Sequence, residues 1–385
     1  MPAQPTLRGK RALVIGGLST SLIKFRWPLI VGLADHGYQV YGCAAEPDDD
    51  VKSRFKELGG DYFSVPLARA GLNPIKDLQT YWRIRALASS IQPDLVIAYT
   101  VKPIVYGLMA ARHAGVKQTY ALITGLGYAF TDASFSLRRQ IVGQLARRLY
   151  RASLRKTDHI YFQNPDDQQA FFSLKIMDPD ASTSVVNGSG VDLSEFGVAA
   201  SRSESEFLMI ARLVADKGVR EYVSAARIIK AKYPEAKFLL AGPLDPNPSA
   251  ISPQELSVWQ ENGLIKYLGA LNDVRPAIAQ ASVYVLPSYR EGTPRTVLEA
   301  MAMGRSIITT DAPGCRETVV PGYNGLLVPP RDSEQLANAM EQAILNPERF
   351  AQYGHNSRSL AEEKYDAQKV TSQMLAPILS RTAEF

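Results

Sequence analysis

The chain has 385 residues, of which 46% are hydrophobic and 21% charged, with a net charge of +5 and a sequence pI near 9.0. These figures exclude a disordered or fibrous protein, and the length exceeds one ordinary core, so two domains of about 150–200 residues each are expected. Cys43 and Cys315 lie far apart without ligand spacing, which excludes a disulfide framework or zinc site and leaves two free thiols.

The opening MPAQPTLRGKR runs into a strand pattern without an apolar signal segment, and runs such as PLIVGLA and IVYGLMAA stop well short of the roughly 20 residues of a membrane span. A cytoplasmic protein is expected. From Arg11 onward, runs rich in Val, Ile and Tyr alternate with helical patterns: RALVIGG, YQVYGCA, DYFSVPL, PDLVIAYT, QTYALIT, DHIYFQN and STSVVNG. Such alternation predicts parallel βαβ units and an open sheet covered on both faces.

The alternation stops near Asp192, where the polar stretch VAASRSESE (198–206) has the composition of a linker. It resumes as FLMIARL, AKFLLAG, LIKYLGA, SVYVLPS, SIITTD and NGLLVPP. The expected fold is α/β: two Rossmann-like, doubly wound parallel-sheet domains over 1–197 and 198–364, with a C-terminal helix in 365–385 that packs back on the first. In such sheets ligands bind beyond the carboxyl ends of the strands, and for two facing domains the natural place is a central cleft.

Directly after the first strand, VIGGLSTS supplies Gly16 and Gly17, which let backbone pass close to a bound group, and Ser19, Thr20 and Ser21, which can cap a helix aimed at an anion. The G-x-G-x-x-G fingerprint is absent, and a glycine turn without a ligand fits equally well. Farther along, Arg138 to Lys156 holds seven basic residues and no acid. Leu137, Ile141, Leu145 and Leu149 form an apolar stripe with Arg148, Arg151 and Arg155 on another side. Such a helix either buries its stripe in the core or rests on an anionic membrane surface.

In the second half, Arg212 follows the first strand, and Lys217 with Gly218 begins the next helix. Two cations beside a helix N-terminus make an anion pocket that a diphosphate satisfies, although a solvated loop has the same composition. In YREGTPRTVLEAMAMGR, Thr293 suits an N-cap and Pro294 the first helical position, so Glu291 stays in the loop and Glu299 rides the second turn. Carboxylates only accept hydrogen bonds, so their natural partners are the paired hydroxyls of sugars and riboses, with the amides of Gly292 and Thr293 as donors between them. As an ordinary helix residue, Glu299 would sit beside the apolar run LEAMAMG, where an unpaired charge is costly.

Together, EGTPRTVLEAMAMGRSIITTD and ARLVADKG resemble the E-x7-E region and the Arg-plus-Lys-Gly element of glycosyltransferase family 4. The resemblance covers nearly the whole chain, including RWPLIVGLADHGYQV, VKPIVYGLMAAR, FQNPDD and NGSGVD; FRWPLI, ARAGLNP and TGLGYAF resemble bacterial members that extend sugars on undecaprenyl diphosphate. It implies the GT-B fold, with an acceptor-binding first domain and a nucleotide-sugar-binding second. It further implies a retaining, metal-independent transferase that moves a hexosyl or N-acetylhexosaminyl group from a UDP-sugar to a polyprenyl-diphosphate-linked saccharide. Arg212 and Lys217 would then bind the donor diphosphate, Glu299 the ribose and Glu291 the donor sugar, with Gly16 and Gly17 closing over the phosphates.

Many relatives carry a His in the first-domain loop where this chain has Thr124 and Gly125. The expected acceptor-side residues are therefore Lys24, Arg26, Arg69, Lys102 and Thr124, each also readable as an ordinary surface group. The expected partners are a UDP-sugar, a lipid-linked saccharide and, through helix 138–156, the inner face of the cell membrane. No cofactor or metal is expected, since the D-x-D matches at 48–50 and 178–180 fall in predicted loops. Competing readings are a nucleotide-sugar 2-epimerase, which leaves the paired glutamates unexplained, and a non-catalytic nucleotide-sugar or nucleic-acid binder. Nucleic acid wants a continuous basic face with aromatic platforms, which the mixed charges outside 138–156 do not supply.

Overall fold

The computed structural model describes residues 9–67, 73–126, 137–200, 205–247 and 249–382. All thirteen apolar runs form strands. The first sheet holds β1 (Arg11–Ile15), β2 (Gln39–Ala44), β3 (Asp61–Ser64), β4 (Leu95–Tyr99), β5 (Gln118–Ile123), β6 (His159–Phe162) and β7 (Thr183–Val185), in the order β3-β2-β1-β4-β5-β6-β7. The second holds β8 (Glu206–Ile210), β9 (Lys237–Ala241), β10 (Lys266–Tyr267), β11 (Val283–Leu286), β12 (Ser306–Thr310) and β13 (Gly325–Val328), in the order β10-β9-β8-β11-β12-β13. Every pairing is parallel.

Each sheet reverses strand order between its first and fourth strands, β1/β4 and β8/β11, so each has a switch point where loops diverge and leave room for a ligand. Burial on both faces explains the unbroken apolar runs: Ala12, Leu13, Val14 and Ile15 of β1 are wholly buried. The same holds in the second sheet, where Tyr222 on helix Val219–Lys232 donates its hydroxyl to the carbonyls of Phe207 and Leu239, tying the helix to β8 and β9.

The chain divides into two compact units, Met1–Val186 with Thr371–Phe385, and Asn187–Val370. The first boundary lies ahead of the expected 197/198, for a physical reason. Val191 and Phe196 are buried in the second unit's core, Val191 bridges in parallel to Asp366, and Asn187 Nδ2 donates to the Lys364 carbonyl at 3.0 Å. The terminal helix Ala367–Thr382 returns to the first unit's core through Met374, Leu375 and Ile378, where the Tyr161 hydroxyl donates to the Met374 carbonyl at 2.7 Å.

Candidate active site

Four loops meet at the carboxyl end of the second sheet. After β8 the chain makes a short 3₁₀ turn, Ala215–Lys217, before helix Val219–Lys232. Gly218 caps that turn at φ +73°, and a Cβ there would lie 2.1 Å from the Pro287 carbonyl oxygen, so only glycine lets the loops after β8 and β11 touch. The contact is fastened by Tyr289 N and Ser288 Oγ donating to the Asp216 carbonyl at 2.9 and 3.2 Å. Glu291 N donates to Pro313 O at 2.9 Å, adding the loop after β12.

This bracing brings Lys217 Nζ within 2.5 Å of Glu291 Oε1, with the two side chains only 14% and 16% exposed. A mostly buried ion pair adds little net stability because both ions lose hydration. The ammonium has three donors and this bond uses one. Arg212 lies two residues past β8 and pairs with Asp245, from the loop after β9, at 3.1 Å; its side chain is 52% exposed.

Helix Arg295–Ala302 carries Glu299, which is 7% exposed and accepts a 2.8 Å hydrogen bond from Arg295 Nε. The N-cap is Pro294 rather than Thr293, which corrects the expected start: the Pro294 carbonyl accepts from Leu298 N, while Thr293 packs against Gly188. Gly292 and Thr293 remain in the loop between Glu291 and the helix. Burial raises the Tyr284 phenol well above its ordinary value, and the charges of Glu299 and Glu291 both add to it, which places the two carboxylates in one neighbourhood. Thr296 Oγ1 donates to the Ile210 carbonyl at 3.2 Å and fixes the helix over the end of β8. Burial, followed by the Glu291 charge, pushes the nearby Cys315 thiol up to about 12, so it is no nucleophile at neutral pH.

The first unit treats its switch point differently. A Cβ on Gly16 would lie 2.2 Å from Tyr99 Oη, and one on Gly17 would lie 3.0 Å from Thr100 Oγ1. Tyr99 shares a 2.7 Å hydrogen bond with Ser21 Oγ, and the Arg26 guanidinium, 4% exposed, sits 5.1 Å from its ring centre. Lys24 is exposed and Thr124 is half-buried at the end of β5. Lys102 is tied to Asp77 at 2.6 Å beside the π-helical turn Pro103–Gly107. Arg69 lies outside the described residues.

The basic segment forms helix Leu137–Leu154, in which one residue of the apolar stripe, Leu149, packs against the first unit's core. Leu145 is 46% exposed, whereas Tyr150 packs edge-on against Phe171 and Ser153 Oγ donates to the Ile104 carbonyl at 2.5 Å. Those two anchors rotate the helix and leave Arg147, Arg148 and Arg151 lining a groove of about 240 Å³ with Gln144, Leu174 and Lys175. One of these cations, Arg151, pairs with Asp178 at 3.1 Å. Asp178 belongs to one D-x-D match; in the other, Asp48 caps helix Asp49–Glu57 by accepting from Val51 N. Among the described residues no group of three His, Cys, Asp or Glu side chains is placed to hold a metal ion.

Sequence reasoning missed Arg295 and Asp245. The four-residue spacing of Arg295 to Glu299 carried a signal; Asp245 had none, because it depends on the path of the loop after β9.

Comparison with known proteins fits this arrangement. Residues 13–164 match the family model for glycosyl transferase 4-like proteins, and residues 204–346 match that for glycosyl transferases group 1. The N,N'-diacetylbacillosaminyl-diphospho-undecaprenol alpha-1,3-N-acetylgalactosaminyltransferase of Campylobacter jejuni is 29% identical over 340 residues, covering 84% of this chain and 87% of that protein. The UDP-Gal:alpha-D-GlcNAc-diphosphoundecaprenol alpha-1,3-galactosyltransferase of Escherichia coli is 24% identical, covering 81% and 84%. Among solved structures, sucrose-phosphate synthase from Thermosynechococcus elongatus superposes with a TM-score of 0.79 at 18% identity, covering 98% of this chain and 100% of that one. Anabaena HepE in complex with UDP-glucose gives 0.74 at 19% identity, covering 97% and 100%. The two structures share the two-domain parallel-sheet fold.

Proposed function

We propose that this chain, which belongs to the glycosyltransferases of the group 1 and 4-like families, moves a hexosyl or N-acetylhexosaminyl group from a UDP-sugar to a polyprenyl-diphosphate-linked saccharide, with retention of configuration. The observation that carries the donor side is the Lys217–Glu291 pair in the loops after β8 and β11, with Arg212 in the first of those loops and Glu299 on the helix that follows the second. The acceptor class is supported by the activities for which the Campylobacter and Escherichia relatives are named.

On this reading the bond between the sugar C1 and the β-phosphate oxygen breaks with its electrons on the oxygen. Arg212, Lys217 and the start of helix Arg295–Ala302, with the amides of Gly292 and Thr293, stabilise the charge that gathers there. The acceptor hydroxyl attacks C1 from the same face and passes its proton to the departing phosphate. Glu291 accepts from the donor-sugar hydroxyls and Glu299 from the ribose. Fixed cations supply the charge that a divalent ion provides elsewhere, so no metal is required. The groove at Arg147, Arg148, Arg151 and Lys175 gives the first unit a surface for anionic lipid on the membrane's inner face. Among the described residues no helix is long and apolar enough to cross a membrane.

The test is to incubate the protein with UDP- and GDP-sugars and an undecaprenyl-diphosphate-linked saccharide, with and without a chelator. The expected result is transfer from a UDP-sugar that survives chelation and gives an α-linked product from an α-linked donor. Inverted product or loss of turnover on chelation would overturn the corresponding element, and saturable binding without transfer would overturn the reading as an enzyme.

A further inference from the structure

The Arg295–Glu299 pair runs against the energetics of its own helix. A cation on the first turn opposes the positive end of the helix dipole, and the order cation then carboxylate at i,i+4 is the weaker orientation of such a pair. Local helix stability therefore does not explain an arginine at 295. Its surroundings offer another account. Nε of Arg295 donates to Glu299 Oε1 at 2.8 Å, with both side chains mostly buried, 23% and 9% exposed.

The charge of Arg295 also acts on the Asp192 carboxyl. That carboxyl is held below its usual value chiefly by the Ser194 hydroxyl, with the Arg295 charge as a further contribution. Asp192 is itself pinned, since its Oδ1 accepts from Ser194 N at 2.9 Å and Glu195 N at 3.1 Å. The same segment bears on the donor loop through Gly188, whose added Cβ would lie 2.8 Å from Thr293 Cβ.

We infer that Arg295 is a positioning residue for nucleotide recognition: through its Nε bond to Oε1 it holds the Glu299 carboxylate in one orientation, as an acceptor for the ribose hydroxyls. The inference rests on the proposed role of Glu299. A carboxylate held still discriminates a ribose from its deoxy analogue better than one free to turn away, because a missing hydroxyl leaves its acceptor unpaired.

The experiment is calorimetric titration with UDP and 2′-deoxy-UDP, comparing the ratio of their Kd values across the unaltered protein, Glu299→Ala, Arg295→Ala and Arg295→Lys. The expected result is a ratio near one for Glu299→Ala and a fall of at least about five-fold for Arg295→Ala, the scale of one charge-assisted hydrogen bond. Arg295→Lys restores the charge without the guanidinium plane and recovers part of the ratio. A merely structural arginine would weaken both nucleotides alike and leave the ratio unmoved. A ratio that collapses in Glu299→Ala and is unchanged in both Arg295 variants overturns the positioning role while the ribose reading stands. A ratio unchanged in Glu299→Ala removes the ribose reading and this inference with it. If Arg295→Ala does not fold, Arg295→Lys decides, with a fall in the ratio supporting the inference and an unaltered ratio overturning it.

Discussion

The crevices at β1/β4 and at β8/β11 have the same strand order and opposite contents. In the first unit the fourth strand ends in Tyr99, whose ring lies against Gly16 while Arg26 covers its face. A cation there is stacked on protein. In the second unit the fourth strand ends in Leu286, followed by Pro287 and Ser288, and the loops around it bring Lys217 and Glu291 together, with Arg212 in the loop after β8 and Glu299 on helix Arg295–Ala302. Topology gives both the same strand-end crevice, and the side chains set them apart. The cations that the first unit presents as a group, Arg147, Arg148, Arg151 and Lys175, line a groove on a helix away from its strand ends.

The strongest way to break this contrast is Lys217→Ala. If the second crevice works by preorganised charge, kcat for transfer or donor hydrolysis falls by about 10²–10³ while far-UV circular dichroism is unchanged. The pair should also behave as a unit. Adding Glu291→Gln to Lys217→Ala should cost less than the product of the single effects, because each single change leaves a mostly buried charge without its partner. Turnover within a factor of about two of the unaltered protein would remove Lys217 from the mechanism.

Much of this was legible in the chain itself, and the limits have physical causes. The thirteen strands of the described residues all lie in runs visible in the sequence, most plainly the central ones, β1, β4 and β11, whose burial on both faces demands near-continuous apolar residues. Lys217, Glu291 and Glu299 stood out as charges beside strand ends or within an apolar helix. The pairing of Lys217 with Glu291 was not legible, since it depends on loops 74 residues apart being locked by Gly218 against Pro287. Helix Leu137–Leu154 shows the opposite failure. Its apolar stripe is split: Leu149 packs against the core, whereas Leu145 is exposed beside the two anchors, Tyr150 on Phe171 and Ser153 on Ile104. The domain boundary was misplaced because polar composition marks 198–206, whereas contacts with Tyr365 and Asp366 place Val191 in the second unit.

The next effect concerns the first unit's displaced charge. Reversing Arg147, Arg148 and Arg151 to glutamate should lower partition onto vesicles containing anionic lipid by about 100-fold or more at moderate salt, from about 1 kcal/mol for each basic residue near such a surface. UDP affinity should be unaltered, because the groove and the β8/β11 loops belong to different units. Sedimentation with vesicles of phosphatidylglycerol and phosphatidylethanolamine reads the first and calorimetry the second. Unchanged sedimentation would dispose of the membrane role.

The smallest effect sharpens the comparison at Gly16. Tyr99 cannot easily retreat from an added methyl, because its hydroxyl is bonded to Ser21 and its ring is covered by Arg26. Gly16→Ala should therefore destabilise the first unit by about 1–3 kcal/mol, the usual cost of forcing a methyl into a packed core. Tyr99→Phe in the same chain removes the nearest atom and leaves Cζ at 2.5 Å from the new Cβ, so it should relieve the strain only in part. Amide hydrogen exchange in β1 and β4 reads the loss locally, and UDP titration reads the donor site in parallel. If glycine is required at 16 by Tyr99, protection falls and nucleotide affinity holds. If affinity falls while β1 and β4 remain protected, glycine at 16 serves nucleotide binding rather than packing against Tyr99, and the contrast drawn between the two crevices fails.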